Sequence, residues 1–246
     1  MRPVFYERPQ GPSAITLRAT PRLANWNRSG DSGQARLVRA LSFSEAQIEP
    51  QLAACEGPVA LRFDAGLSRA VRLLDERDLD NYLLPLTRHL AGRTEQPIVS
   101  VWGCKRYAEE TSLMIRPARP RDTDDGRTVV LTATAAGGRE DFKAGLRQQI
   151  HDQAAEHDLL PDGPVTLELG FVAGPDRDWL DLWWATIDGL GPLLGQSPAE
   201  PEWHPRDGRI VDLGLHLTVD PGLGDGVVVG LRARPGWLDP VPDDEG

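Results

Sequence analysis

An internal repeat is the feature that most limits how this chain of 246 residues can fold. Four short segments found between residues 57 and 120 recur in the same order between residues 163 and 235. Repetition of several segments in one order is typical of duplicated supersecondary units, so the sequence predicts two similar modules in tandem. The matched pairs are GPVALRF with GPVTLEL, DLDNYLLPLTRHLAG with DWLDLWWATIDGLGPLLG, PIVSVWG with RIVDLGL, and IRPARP with LRARP.

The two copies also share an order of predicted elements, which is helix, strand, helix, strand and strand. A Gly-Pro pair opens the first strand of each copy, at residues 57–58 and 163–164. The strand segments are rich in Val, Ile and Leu, and the helical segments carry apolar residues at spacings of three and four. The predicted class is therefore α+β, with two tandem similar modules that each contain a small mixed β-sheet and two helices on one face.

Shifts in composition set the module boundaries. The first residues are rich in Pro, Gly, Asn and Arg, with AITLRAT as a predicted edge strand, and a Pro-rich, charged segment separates the two copies. The last residues are acidic and Pro-rich. We place an N-terminal arm at residues 1–34, the modules at 35–117 and 128–236, a linker at 118–127 and an acidic tail at 237–246.

The charge of the chain restricts its partners. A formal net charge of -10 at pH 7 opposes a broad attraction to nucleic acid, so a DNA partner needs a local basic patch or bridging metal ions. Cys55 and Cys104 fit neither a zinc spacing nor a disulfide framework and are expected to be buried thiols. Because neither a membrane helix of roughly 20 apolar residues nor a signal peptide is evident, we expect a cytoplasmic protein with no membrane partner.

The segment DLDN at residues 78–81 places Asp78, Asp80 and Asn81 ahead of an apolar, helix-like run. Proline is tolerated in the first turn of a helix, so Pro85 predicts a helix that begins near Asn81. The two aspartates would then lie in the preceding loop, where residues i and i+2 point the same way. Their hard oxygen ligands suit Mg²⁺, whereas the alternative interpretation is a helix N-cap with solvated neighbours.

A further acid stands ahead of a predicted strand in each copy. Glu95 precedes PIVSVWG, and a return of the chain from the helix is expected to bring it near Asp78 and Asp80. Asp207 holds the matching place in RDGRIVD. The alternatives are a surface acid for Glu95 and a turn residue ahead of Gly208 for Asp207.

Together these motifs resemble the RusA family of Holliday-junction resolvases, which are small Mg²⁺-dependent endonucleases that act as homodimers. The resemblance covers most of residues 43–232 as short motifs. It implies hydrolysis of branched DNA with Mg²⁺, or Mn²⁺ as its substitute, and a pseudo-dimer within one chain, with a higher oligomer left open. The residues implied are Asp78, Asp80, Glu95 and Asp207 as catalytic, Asp78, Asp80, Asn81 and Glu95 as metal ligands, and Lys105, Arg106 and Arg209 as substrate-binding.

Several positions depart from the family pattern. Leu84 and Trp184 stand where the family has a lysine in the helix, and Leu180 replaces the second acid of the first motif in the second copy. An alternative is therefore a catalytically inactive RusA-like fold that acts as a protein- or nucleic-acid-binding module. A third alternative is a duplicated fold of another family, which a lack of convergence among Asp78, Asp80 and Glu95 would favour.

Overall fold

The computed structural model describes residues 1–12, 14–17, 39, 41–42, 44–75, 78–121, 128–136, 139–196 and 203–237. The predicted arm beyond Leu17, most of the linker and nearly all of the acidic tail lie outside these residues. Every helix and strand predicted from the sequence is present. In chain order they are β1 (Ile15–Leu17), α1 (Glu45–Ala53), β2 (Val59–Leu67), α2 (Leu79–Ala91), β3 (Ile98–Tyr107), β4 (Thr111–Pro117), β5 (Val129–Thr134), α3 (Arg139–Ala154), β6 (Val165–Ala173), α4 (Leu180–Gly189), α5 (Gly191–Leu194), a 3₁₀ turn (Asp207–Arg209), β7 (Ile210–Val219) and β8 (Gly226–Pro235).

The eight strands form one continuous mixed sheet in the order β1-β4-β2-β3-β7-β6-β8-β5. The predicted α+β class is confirmed. The prediction of a separate small sheet in each module is wrong, because β3 pairs with β7 in antiparallel fashion at the centre of one shared sheet. β2 runs parallel to β3, and β6 runs parallel to β7. The remaining pairings are antiparallel. The β3–β7 contact therefore joins strands that are far apart in sequence.

The pairings on the two sides of the β3–β7 contact follow the same order. β2 lies between β3 and β4, as β6 lies between β7 and β8. The register shifts at the second residue of each parallel pair, between Val59 and Ala60 and between Val165 and Thr166. Each irregularity follows a Gly-Pro pair, which cannot continue a regular ladder because proline lacks a backbone donor.

The helices pack on one face of the sheet and bury the main core there. On α2, Leu79, Tyr82, Leu83 and Leu86 recur at helical spacing and are at most 1% exposed. The Tyr82 ring stacks on Phe63 of β2, with ring centroids 5.7 Å apart. Burial of this stripe, rather than local propensity alone, holds α2 against the middle of the sheet.

The first nine residues cross the opposite face of the sheet. Pro3 and Phe5 lie so close to Gly170 and Gly230 that an added Cβ on either glycine would approach Pro3 to about 3 Å. The Val4 amide donates to Thr218 Oγ1 at 2.9 Å, which ties the segment to β7. The predicted edge strand is confirmed as β1, which pairs with β4 at one end of the sheet. In the part of the chain that the structure describes, no helix has the length and apolar character needed to cross a bilayer.

Candidate carboxylate and lysine site

A buried lysine lies where the end of β3 meets the turn that leads into β7. Cys104 is opposite Asp212 in the antiparallel pairing, so Lys105 reaches the 3₁₀ turn just ahead of β7. The Lys105 ammonium donates to the Gly208 carbonyl at 2.5 Å, and the side chain is 1% exposed. The long-range pairing of two strands thus brings Lys105 beside Asp207.

Aspartates from three parts of the chain surround this ammonium. The pKa of Lys105 is lowered to about 8 by burial. The negative charges of Asp78, Asp207 and Asp80, and to a smaller extent Asp75, limit this decrease. Asp80 lies in the first turn of α2 and is 7% exposed. Asp78 precedes α2, and Asp207 begins the 3₁₀ turn. We call Asp78, Asp80, Asp207 and Lys105 the carboxylate–lysine cluster.

The carboxylates of the cluster are held where ionisation is unfavourable. The pKa of Asp80 is raised to about 7, first by burial and then by the neighbouring charges of Asp78 and Asp188, although backbone N–H groups oppose the rise. The pKa of Asp207 is raised well above its usual range, first by burial and then by Asp78, Asp80 and Asp188. A solvated helix cap has the opposite tendency, because the helix N-terminus favours an ionised carboxylate. Ionisation of these buried carboxylates at neutral pH therefore lowers the stability of the fold, and a nearby cation reduces that loss.

The start of α2 differs from the prediction. The helix begins at Leu79, not near Asn81, and Pro85 lies in its interior because burial of the apolar stripe outweighs the lost backbone donor. Asp78 occupies the N-cap position, but its side chain makes no cap hydrogen bond. It accepts a hydrogen bond from Asn81 Nδ2 at 3.2 Å instead. Asp80 consequently belongs to the helix, and the extended-loop argument for its direction was wrong.

Asp188, near the end of α4, is a member of this region that sequence reasoning missed. Burial raises its pKa to about 6, with Arg147 and His204 acting in the opposite direction. At the other ends of the two helices, Arg88 of α2 pairs with Asp181 of α4 at 3.1 Å, so α2 and α4 run antiparallel. The sequence alone does not place Asp188 beside the start of α2, because its position follows from the antiparallel packing of α2 and α4.

Glu95 does not join the cluster. It is exposed in the turn between α2 and β3, beyond the C-terminal end of α2, whereas Asp78 and Asp80 lie at its N-terminal end. A helix of 13 residues is about 20 Å long, and β3 must then run its length before Lys105 reaches the aspartates. The third acid near Asp78 and Asp80 is Asp207, and not Glu95 as the sequence had predicted.

The two arginines predicted to bind substrate have different environments. Arg106 follows Lys105 and is exposed. Arg209 is 1% exposed, and its guanidinium donates to the carbonyls of Gly163 at 2.9 Å, of Leu194 at 3.0 Å and of Pro161. All three acceptors are backbone groups, so Arg209 fastens the segment before β6 and the end of α5 to the start of β7.

Replacing Arg209 with glutamine is expected to reduce the free energy of unfolding by about 2 to 3 kcal/mol, because buried carbonyls lose charged donors. Arg106→Gln serves as the matched control and is expected to change it by less than about 0.5 kcal/mol. Chemical denaturation of both variants measures the difference. Equal stability of the two variants would contradict a structural role for Arg209.

The donor chemistry of the cluster fits a hard divalent cation. Carboxylate oxygens are the ligands that Mg²⁺ prefers, and a cation beside Asp80 and Asp207 would favour their ionised forms. Among the described residues, no three acidic, histidine or cysteine side chains form a ready-made metal group, so binding would require the carboxylates to draw together. Comparison with known proteins adds no assignment, since no family model and no curated protein matches the chain.

Proposed function

We propose that this chain is a RusA-like, Mg²⁺-dependent endonuclease for branched DNA, or a diverged descendant of one. The observation that carries the proposal is the convergence of Asp78, Asp80 and Asp207 on buried Lys105. Carboxylates retained at a cost to the fold are typical of functional sites rather than of structural ones.

The proposal includes an origin by tandem duplication, with the two copies packed as a pseudo-dimer. The equal order of strand pairings on both sides of the β3–β7 contact supports it, as do the matched register shifts. Antiparallel β3 and β7, with antiparallel α2 and α4, are what a two-fold axis through the sheet centre would produce.

A two-fold arrangement explains why the acids come from different copies. Each site would combine the first acidic motif of one copy with the second motif of the other. One such site holds Asp78, Asp80, Lys105 and Asp207. The registers of β2 with β3 and of β6 with β7 match Lys105 to Leu217. The related site would therefore have Leu217 in place of the lysine and Leu180 in place of Asp80. Asp178 and Glu95 would be its two remaining acids.

In the proposed reaction the protein's residues bind and orient the reacting groups. Asp78, Asp80 and Asp207 would hold the cation, and the Lys105 ammonium balances part of their charge. Bound Mg²⁺ supplies an activated water and stabilises the charge that develops on the phosphoryl oxygens. Leu84 stands where the RusA family has a lysine in the helix. Buried Lys105 nevertheless places a cationic group beside the acids.

The test is cleavage of a labelled four-way DNA junction with Mg²⁺ or Mn²⁺. We expect Asp80→Asn to reduce the rate at least about a hundredfold, as loss of a charge-stabilising group does in other enzymes. Glu95→Gln makes the same chemical change outside the cluster and is expected to retain activity. Full activity in Asp80→Asn, or no cleavage of any branched substrate by the wild type, would contradict the proposal.

The second candidate is an inactive RusA-like fold that binds a protein or a nucleic acid. The observation in its favour is that the Lys105 ammonium already lies among the aspartates and balances part of their charge. The separation of Glu95 from Asp78 and Asp80 also favours a duplicated fold of another family over the original three-acid site. Calorimetric titration with Mn²⁺ discriminates, because the enzyme requires binding that Asp207→Asn weakens, whereas an inactive cluster does not bind Mn²⁺.

A further inference from the structure

An arginine-lined cleft lies on the face of the sheet opposite the helices. It has a volume of about 630 Å³ and runs between the N-terminal residues 7–10 and the residues at and after the end of β4. Its lining consists of four arginines, one glutamate, two prolines and a glutamine. The arginines are Arg8, Arg116, Arg119 and Arg121.

The walls of the cleft are fixed by hydrogen bonds between the two segments. The Glu7 amide donates to the Arg119 carbonyl, and the Arg121 amide donates to the Phe5 carbonyl, each at 2.8 Å. Arg62 of β2 donates to the Pro9 carbonyl at 3.1 Å. Phe5 is 4% exposed and anchors the N-terminal segment in the core. The cleft is therefore a preformed feature of the fold rather than a gap between loose loops.

The arginines of the cleft differ in how their charge is balanced. Arg8 pairs with Asp212 at 2.7 Å and with Asp64 at 3.3 Å, and Arg121 pairs with Glu168. Within the described residues, neither Arg116 nor Arg119 pairs with a carboxylate. Two guanidinium groups without an ion-pair partner among the described residues, together with the single carboxylate of Glu7, thus line one cleft in a chain whose net charge is -10. Each guanidinium can bind an oxyanion through two parallel hydrogen bonds.

We infer that this cleft binds a compact oxyanion ligand with two or more negative charges, such as a polyphosphate or a polycarboxylate. Its volume is in the range of small-molecule sites, which is about 300 to 1,000 Å³. Among the residues that the structure describes, its lining has no aromatic side chain on which a nucleic-acid base would stack. The negative charge of the whole chain repels a long polyanion more than a small ligand held inside a cleft.

The test is calorimetric titration with tripolyphosphate and, separately, with citrate, in buffer without divalent cations so that the carboxylate–lysine cluster takes no part. The cleft variants are Arg119→Gln and Arg116→Gln/Arg119→Gln. Arg69→Gln/Arg93→Gln, which makes the same charge change outside the cleft, is the control. We expect the wild type to bind at least one anion, the double cleft variant to bind it about tenfold or more weakly, and the control to match the wild type.

The two anions identify the ligand chemistry, since binding of tripolyphosphate alone indicates a phosphate ligand and binding of citrate alone a polycarboxylate. The single variant at exposed Arg119 is expected to show a smaller loss in the same direction, and circular dichroism confirms that each variant is folded. The inference is overturned if neither anion binds, if the control weakens binding equally, or if only a single-stranded oligonucleotide binds. None of these outcomes depends on nuclease activity.

Discussion

Replacing Lys105 with methionine is expected to lower the free energy of unfolding at pH 7 by about 1 to 3 kcal/mol, because the buried Gly208 carbonyl loses its charged donor and the nearby carboxylates lose their counter-charge. Removing the buried ammonium, whose pKa is lowered to about 8, offsets part of this loss. Methionine fills a similar volume, so the loss reports charge rather than a cavity. The ammonium is 1% exposed and lies among Asp78, Asp80 and Asp207. Without it, these carboxylates repel one another in a poorly solvated site. Urea denaturation measures the change.

The loss in Lys105→Met is expected to shrink as the pH falls toward 5. Asp80 and Asp207 have raised pKa values in the folded state, so they take up protons at a pH where the unfolded chain remains ionised. Protonation removes the repulsion that the lysine had balanced. Lys143→Met, at the other lysine, is the control and is expected to cost less than about 1 kcal/mol, because its ammonium lies 6.0 Å from the Trp184 ring centroid. A loss that is independent of pH would contradict the charge argument.

Asp80→Asn is expected to have the opposite effect and to raise the free energy of unfolding at pH 8 by about 2 to 4 kcal/mol. The folded-state pKa of Asp80 is about 7 against an ordinary value of 3.8, so the folded state binds more protons than the unfolded state between these pH values. Wild-type stability therefore falls as the pH rises through that interval, by up to about 4 kcal/mol from this group. Asparagine cannot ionise and avoids the loss, so no gain is expected at pH 4.

Asp178→Asn is the matched control for this gain. Asp178 precedes α4 as Asp78 precedes α2, and its carboxylate accepts a hydrogen bond from the Leu180 amide at 3.0 Å. The variant is expected to show no stabilisation at pH 8, because asparagine keeps a side-chain oxygen that accepts from the same backbone donor. A destabilised Asp80→Asn would contradict the view that Asp80 is kept for a purpose other than stability.

The helices and strands were predictable because their signals are local. The Gly-Pro pairs mark the starts of β2 and β6, and the apolar spacing of α2 marks its buried side. Tolerance of proline in a first turn predicts that the helix with Pro85 begins near Asn81. The helix begins two residues earlier, because burial of Leu79 extends it. Tertiary packing overrode a local rule at that position.

The composition of the site was less predictable, because it depends on a long-range contact. Sequence motifs name Asp78, Asp80, Asp207 and Lys105, but they assign Glu95 rather than Asp207 to the place beside Asp78 and Asp80. The pairing of β3 with β7 brings Asp207 there, and no local pattern encodes that pairing. Arg209 was predicted to bind substrate but is buried and donates to backbone carbonyls. The sequence does not distinguish a surface arginine from a buried one of this kind.

The most direct test of the composite site is an NMR titration of the Asp207 carboxyl carbon in labelled protein. The pKa of Asp207 is expected to lie well above its usual range in the wild type and to fall in Asp80→Asn, because Asp80 contributes to the rise. Glu95→Gln is expected to leave it unchanged. An Asp207 that titrates in the ordinary range, or that responds to Glu95→Gln and not to Asp80→Asn, would contradict a composite site of Asp78, Asp80 and Asp207.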